Sequence, residues 1–523
     1  MENETTLNNI ETVKENGMTL NSAEAVKEKV IPLHETVISL CVYVLSFVFV
    51  RYVSRYFGGI WGGIFWLLFG AAGAVFVKLK SYSVKKTQIF VFAISELFCF
   101  TPLFCTNAFI NFLAAVFSYA LDFYLLVTIA GGEMFGRHFI RDMLYGIFVR
   151  PFLCFVRQPV SAFSVFKKIG KGKSILYALL GILLAIPLTA VVAVILMESD
   201  TLFKSEMQTL FKHFPSVSFS VLWQLIIAVP CAMYFFGAFC SVEKRLSADS
   251  GALPAYRVIP PVIAYFAVTP ICIFYFAYTI TQVRNIANAV NRTLDYSEFA
   301  RHGFFELCAI TVINLLVIVL IQTFAQRNDN DKKPLAVRIY TVILSAFTLM
   351  IIATALVKMF MYIAEYGMTL LRVYTSWFMI LEAIIFVPII ILQFKDFVIW
   401  KPLFCIFTVM FALLCFGNFE GKIASYNIHV YENGSVAELD VQELSELGFP
   451  AVAPTVNFVD NSPAYSALDE YEQQEIKWFM ENQKDLDDYR DKFAYFSIPR
   501  LSAQKALEFS TVGDKLNDKS IEA

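Results

Sequence analysis

The sequence predicts an all-α polytopic membrane protein, with about eleven transmembrane helices followed by a small, mostly helical, acidic C-terminal extramembrane domain. Three observations carry that expectation. Of 523 residues, 58% are hydrophobic and only 16% charged, with a mean hydropathy of +0.61; soluble chains run near ~45–50% and ~25%. The apolar residues gather in runs of about 20 with few charges, the length that crosses a ~30 Å hydrocarbon core as a helix. The charge is also split. Residues 418–523 hold 20 acidic and 9 basic side chains, a net of −11, which leaves +9 on the rest of a chain whose formal total is −2.

Residues 1–34 are polar and mixed in charge, without the basic start and short apolar core of a cleavable signal peptide. They are expected to form a disordered cytoplasmic tail, with a short helix near 23–30. Residues 35–417 are expected to form the transmembrane domain. Spans are predicted at 35–54, 57–77, 88–104, 107–130, 174–196, 219–240, 258–280, 303–324, 338–363, 372–393 and 398–417. The stretch 88–130 is one long apolar run broken by Thr101-Pro102 and Cys105-Thr106-Asn107, which predicts a tight hairpin.

Lys and Arg in the short loops set the orientation. With the N-terminus inside, the inner loops carry 21 of them and the outer loops 8. An odd number of spans then places the acidic tail outside. The inner segment 131–173 is predicted to be interfacial. Arg137, Arg141 and Asp142 alternate with Phe139, Ile140, Met143, Leu144, Ile147 and Phe148 at helical spacing, and Lys167, Lys168, Lys171 and Lys173 follow. Such a helix lies in the membrane plane with its basic groups at anionic lipid head groups.

In the tail, Tyr426–Tyr431 is expected to be extended, and Asn433-Gly434 offers a turn. Asp440, with Glu443 three residues on, predicts a capping box that opens a helix. A further helix is expected from Ser466 to about Phe493.

Ionisable groups inside membrane helices are costly and therefore point to function. Glu96, Asp122, Glu306, Lys358 and Glu382 are the candidates, with Gln224, Asn314 and Gln322 as polar neighbours. By the predicted topology, Arg301, Glu306, Lys358, Glu365 and Arg372 converge on the outer third of the eighth to tenth spans. Glu382 lies ten residues, or ~15 Å, deeper than Arg372. The residues leave two readings open: ion pairs that lock helices together, or an outward-facing polar site with Glu382 as a proton-relay carboxylate below it.

Other chemistries find no support in the sequence. It contains no GxxxxGK[ST], GxGxxG, HExxH or GxSxG. The histidines His34, His138, His213, His302 and His429 are dispersed, and the ten cysteines form no CxxC pair, so no metal or cofactor is expected. The basic residues are too thinly spread for a nucleic-acid partner.

Three segments together resemble a known family. They are Tyr296-Ser-Glu-Phe-Ala-Arg301-His-Gly303-Phe-Phe305-Glu306-Leu, Tyr366-Gly367-Met-Thr369-Leu-Leu-Arg372-Val-Tyr374 and Ile423-Ala-Ser-Tyr426-Asn427-Ile. They are similar to the motifs of the bacterial multi-span family filed as domain of unknown function 4173, or of its relative 4153. Phe299 and Met368 depart mildly from the usual Tyr and Leu. The resemblance covers about 170–450 and implies a protein integral to the plasma membrane of a bacterium, with no established activity. It also implies that Arg301, Glu306, Tyr366, Arg372, Tyr426 and Asn427 form one motif set. The leading functional expectation is a transport-like or solute-binding protein. A sensor, scaffold or regulator with a partner-binding tail is the second, and a membrane enzyme acting on lipid or cell-wall precursors the third.

Overall fold

The computed structural model describes residues 31–53, 59–136, 138–164, 216–244, 260–290, 304–326, 333–489 and 493–510, with scattered positions between 189 and 206. Among these the architecture is helical throughout. Helix α1 (Leu33–Val48) runs on through a π turn at Phe49–Val53, and α2 spans Ile60–Leu79. Next come α3 (Lys86–Phe98), extended by a turn at Thr101–Phe104, and α4 (Ala108–Ile129). Three short helices follow, α5 (Phe139–Phe148), α6 (Arg150–Leu153) and α7 (Arg157–Ala162). Five long ones complete the bundle: α8 (Ser216–Ser241), α9 (Pro261–Val290), α10 (Phe304–Phe324), α11 (Leu335–Tyr366) and α12 (Leu370–Phe394). Helix α13 (Trp400–Phe416) bends by 63° into α14 (Phe419–Glu432). The tail continues as α15 (Val441–Glu446), α16 (Phe449–Asn461), α17 (Glu470–Tyr489) and α18 (Ile498–Glu508).

Nine helices among the described residues are long and apolar enough to cross a membrane, and the bent α13–α14 pair makes a tenth if counted as one span. They coincide with ten of the eleven predicted spans. The predicted span at 174–196 lies outside the described residues, as does the predicted helix near 23–30. The 88–130 run does turn at Cys105-Thr106-Asn107. There Asn107 caps α4, its Oδ1 accepting from the N–H groups of Phe109 (3.0 Å) and Ile110 (3.3 Å).

Aromatic side chains fill the first half of the bundle. Phe65, Trp66 and Phe69 of α2 meet Phe123 of α4 and Phe235 and Phe239 of α8. Phe69 stacks on Phe239 with ring centroids 4.9 Å apart. Gly63 lets α2 close on the Cys99 carbonyl, since a Cβ there would sit 2.1 Å from that oxygen. Helices α9 to α12 share a second core around Leu307, Ile351, Ala355 and Phe386. Helix α13 joins the halves, with Phe411 stacked on Phe98 of α3 at 5.3 Å.

The two ends of the bundle differ. At one end Glu35, Lys80, Arg157 and Glu243 form a charged cluster. Toward the other, Arg51 donates to Gln224 Oε1 at 3.1 Å, and there the Ile60 N–H donates to the Ala494 carbonyl of the tail at 3.2 Å. The tail caps this second end. Its core of Ile423, Ile428, Leu444, Val452, Ile476 and Phe479 takes in Met368 from the turn between α11 and α12 and Leu370 and Val373 from the start of α12.

One tail expectation is corrected. Tyr426–Tyr431 is helical, part of α14, and not extended. The hexapeptide is rich in strand formers, but Ile423, Ala424, Asn427 and Ile428 bury one face at helical spacing. Burial on that face outweighs local β preference. Asp440 caps α15 as expected, through its Oδ1 and the Glu443 N–H at 2.9 Å, yet the Glu443 carboxylate turns away from the box. The full reciprocal box forms at Asp469 and Glu472 instead.

Candidate functional site

Helices α10, α11 and α12 carry most of the predicted site residues. Glu306 sits exposed on the first turn of α10, with no hydrogen bond or ion pair to any described residue, and Arg301 lies outside the described residues. Lys358 is buried on α11. Glu382 is buried on α12, where its Oε2 accepts from Thr311 Oγ1 at 2.6 Å. Below that pair the α10 face continues as a polar seam. Tyr275 donates to Asn314 Oδ1 at 2.7 Å, Asn314 donates to Thr348 at 3.0 Å, and Gln322 donates to Thr341 and Gln393, each at 3.1 Å. The spacing Thr311, Asn314, Ile318, Gln322 keeps these groups on one stripe of α10. The seam satisfies polar side chains helix to helix, as apolar surroundings require.

The motif residues meet elsewhere, at the turn between α11 and α12. Arg372 donates to the carbonyls of Tyr366 and Gly367 and lies 4.3 Å from the Tyr362 ring centroid. The guanidinium thereby closes the C-terminus of α11, where orphan carbonyls need donors. Tyr366 itself is exposed. Asn427 of α14 reaches this turn from the tail. Its Oδ1 accepts from the Met368 N–H at 2.7 Å and its Nδ2 donates to the Met368 carbonyl at 2.8 Å. Glu443 of α15 accepts from the Leu370 N–H at 2.9 Å. Burial raises the Glu443 carboxyl above its ordinary value, against the lowering effect of the Leu370 hydrogen bond. Tyr426 packs beside the α9–α12 core.

Where the tail meets the bundle lies a cavity of about 320 Å³. Cys105, Thr106 and Asn107 line it from the α3–α4 turn, Asn111 from α4, Glu420 from α14, Ser445 and Glu446 from α15, and Gln483 and Ser497 from the rest of the tail. Among the described residues no Lys or Arg lines it. Glu420 is buried and held from the side. Tyr374 donates to its Oε1 at 3.0 Å, and Asn107 donates to the Tyr374 oxygen at 3.2 Å.

Sequence reasoning missed this cleft. Asn107 registers in the sequence only as a hairpin breaker, and Glu420 as one acid among many in the tail. The four-charge cluster at the opposite end was also missed, because its members are far apart in the chain. Arg157 Nε donates to Glu35 Oε1 at 2.8 Å, Lys80 to Glu35 Oε2 at 2.8 Å and to Glu243 at 2.7 Å, and Arg157 also pairs with Glu243.

The stacked long apolar helices, which satisfy their backbone polar groups internally, define an all-α polytopic membrane protein. The chain belongs to the family described as Domain of unknown function (DUF4153), whose model matches residues 92–458. That is one of the two related families its motifs resemble. No curated protein and no solved structure matches the chain.

Proposed function

We propose that this chain is a solute-binding protein of the bacterial plasma membrane, transport-like in character, with its N-terminus cytoplasmic and its tail outside. The excess of Lys and Arg in the predicted inner loops supports that orientation, and Lys80 and Arg157 share one end of the bundle. The observation that carries the reading is the polar cleft between tail and bundle. It has a size suited to a small ligand, carboxyl groups in Glu420 and Glu446, and no basic residue among its described lining. The solute that fits is small, polar and amine-bearing. This places the site away from the eighth to tenth spans, against the start of α2 and the α3–α4 turn, with Leu370 of α12 the one described residue of those spans in the wall.

Thermal unfolding of the purified full chain in detergent tests this, with putrescine, spermidine, ornithine and glycine betaine as probes. At least one amine should raise Tm of the wild type and fail to do so for Glu420→Gln, which keeps the Tyr374 partnership. No stabilisation by any probe, or equal stabilisation of both proteins, overturns the reading.

A second reading, a sensor whose tail docks a partner, is favoured by one observation. Tyr471 and Trp478, seven residues apart on α17, are 69% and 61% exposed. Large aromatics standing together on a surface suit protein docking. Replacing Tyr471 and Trp478 by alanine separates the two, because a sensor then loses its response while the cleft, whose described lining includes neither side chain, keeps its solute binding.

A further inference from the structure

A second cavity lies inside the membrane bundle, between α2, α3, α4 and α8. It measures about 330 Å³. Its walls are mostly apolar, from Phe69, Val77, Phe92, Leu125, Ile129 and Phe239. Gly70 and Gly73 make the room. A Cβ at Gly73 would come within 3.0 Å of the Phe239 ring, and one at Gly70 within 1.9 Å of Glu96 Oε1.

Into this apolar space the bundle sets an acid. Asp122 lines the cavity and is only 6% exposed. Its Oδ1 accepts from Ser95 Oγ at 2.8 Å, while its Oδ2 is buried and has no hydrogen-bond partner among the described residues. Glu96 presses against Gly70 on the cavity wall, and its Oε1 likewise has none. Neither carboxyl makes an ion pair with a described residue. Helical bundles rarely leave a buried carboxylate oxygen without a donor, because its desolvation is then uncompensated.

Among the described residues the cavity is open on its lipid-facing side. Ala74 and Ile89, both lining it, are exposed on the bundle surface. Lys78 and Tyr82 stand at the rim near the end of α2, where long amphipathic side chains reach the interface. A ligand reaching Asp122 therefore comes through an apolar mouth, past Lys78, and supplies the hydrogen-bond donor that Asp122 Oδ2 lacks.

We propose that this pocket binds an amphiphilic amine that enters from the bilayer, its apolar body against the Phe69, Phe92 and Phe239 rings and its ammonium donating to Asp122 Oδ2. Glu96 places a second carboxyl behind Gly70 of that wall. Charge neutralisation and a satisfied carboxylate distinguish this ligand from a neutral lipid, which would fill the apolar walls and leave Asp122 without a donor. The pocket is separate from the tail-side cleft, and the two share no lining residue.

The test uses the full chain in nanodiscs and radiolabelled 1-aminoadamantane, a compact apolar cage with one primary amine. The wild type should bind it above protein-free discs, and 1-adamantanol should compete at least tenfold less well than the unlabelled amine. Asp122→Asn should weaken binding at least tenfold. Ala74→Phe, placed on the exposed mouth so that the core is undisturbed, should weaken it by a similar factor with Asp122 intact. Glu420→Gln in the other cleft should change it less than twofold. Binding no greater than to empty discs overturns the proposal. So does equal competition by the alcohol, and so does unaltered binding by the Ala74→Phe and Asp122→Asn variants. Loss in Glu420→Gln with retention in those two would assign the amine to the tail-side cleft and overturn the intramembrane site alone.

Discussion

Asn427 clasps Met368 from both sides of its peptide groups, accepting from its N–H at 2.7 Å and donating to its carbonyl at 2.8 Å. One side chain thus satisfies both backbone groups of a residue in a turn that has no helix to satisfy them. The clasp fastens the tail helix α14 to the bundle. Asn427→Ala should lower stability by about 1–3 kcal/mol, since both Met368 groups lose their partner. Asn427→Asp keeps the acceptor and loses the donor, so it should fall between the two. Thermal unfolding in detergent gives the order, and limited proteolysis should cut the tail of the alanine variant first. A tail no more protease-sensitive than in the wild type would show that the clasp does not hold it.

The residue before Met368 sharpens that point. Gly367 has φ of +76° and ψ of −177°, a region that only glycine occupies readily. A Cβ there would also lie 2.9 Å from Asn427 Oδ1. Gly434 provides the comparison, with φ of +66° and no atom within 4 Å of its would-be Cβ. Gly367→Ala should therefore cost clearly more than Gly434→Ala, by roughly 1–3 kcal/mol against about 1. Tm values for the two variants check this, and equal losses would mean that the Asn427 contact gives way without cost.

The charged cluster at the other end should make stability depend on acid. Burial pushes the Glu243 carboxyl up, but hydrogen bonds from Arg157 and Lys80, with their charges, outweigh it and leave it below the ordinary 4.5. A carboxyl lowered by folding contributes stability that is present above the unfolded value and lost as the pH falls through the folded one. The wild type should thus lose Tm as the pH drops below 4.5. Glu243→Gln should start lower at neutral pH and show a flatter profile over the same range, the two curves converging in acid. Parallel curves would mean that Glu243 gains nothing from its partners.

Much of this fold was legible because the bilayer constrains sequence so strongly. Runs of 20 apolar residues and the Cys105-Thr106-Asn107 break located helices with little help from packing. What local pattern could not supply is contact between distant segments. The hexapeptide Tyr426–Tyr431 has strand composition, and only its burial against Met368 and the tail core makes it a helix. The site was legible in part for the same reason. The family resemblance implied one set of Arg301, Glu306, Tyr366, Arg372, Tyr426 and Asn427; Tyr366, Arg372 and Asn427 gather at one turn, Glu306 stands apart on α10, and Arg301 lies outside the described residues. Asn107, Tyr374 and Glu420 come from three separate helices, and no spacing in the sequence relates them.

Glu382 offers the sharpest separation of structure from function. It accepts one hydrogen bond, from Thr311 at 2.6 Å, and its Oε1 has no partner among the described residues. Thr311→Val removes the donor and leaves a buried carboxyl in apolar surroundings, which should lower stability by about 1–3 kcal/mol. Glu382→Gln keeps an acceptor for Thr311 and removes the ionisable group, so its cost should be under about 1 kcal/mol. If Glu382 only ties α10 to α12, Glu382→Gln should also keep whatever solute response the wild type shows. If it relays a proton, Glu382→Gln should abolish the pH dependence of that response while Tm stays near the wild-type value. Reconstituted vesicles with an internal pH dye distinguish the two, because a relay moves protons across the bilayer and a helix tie does not.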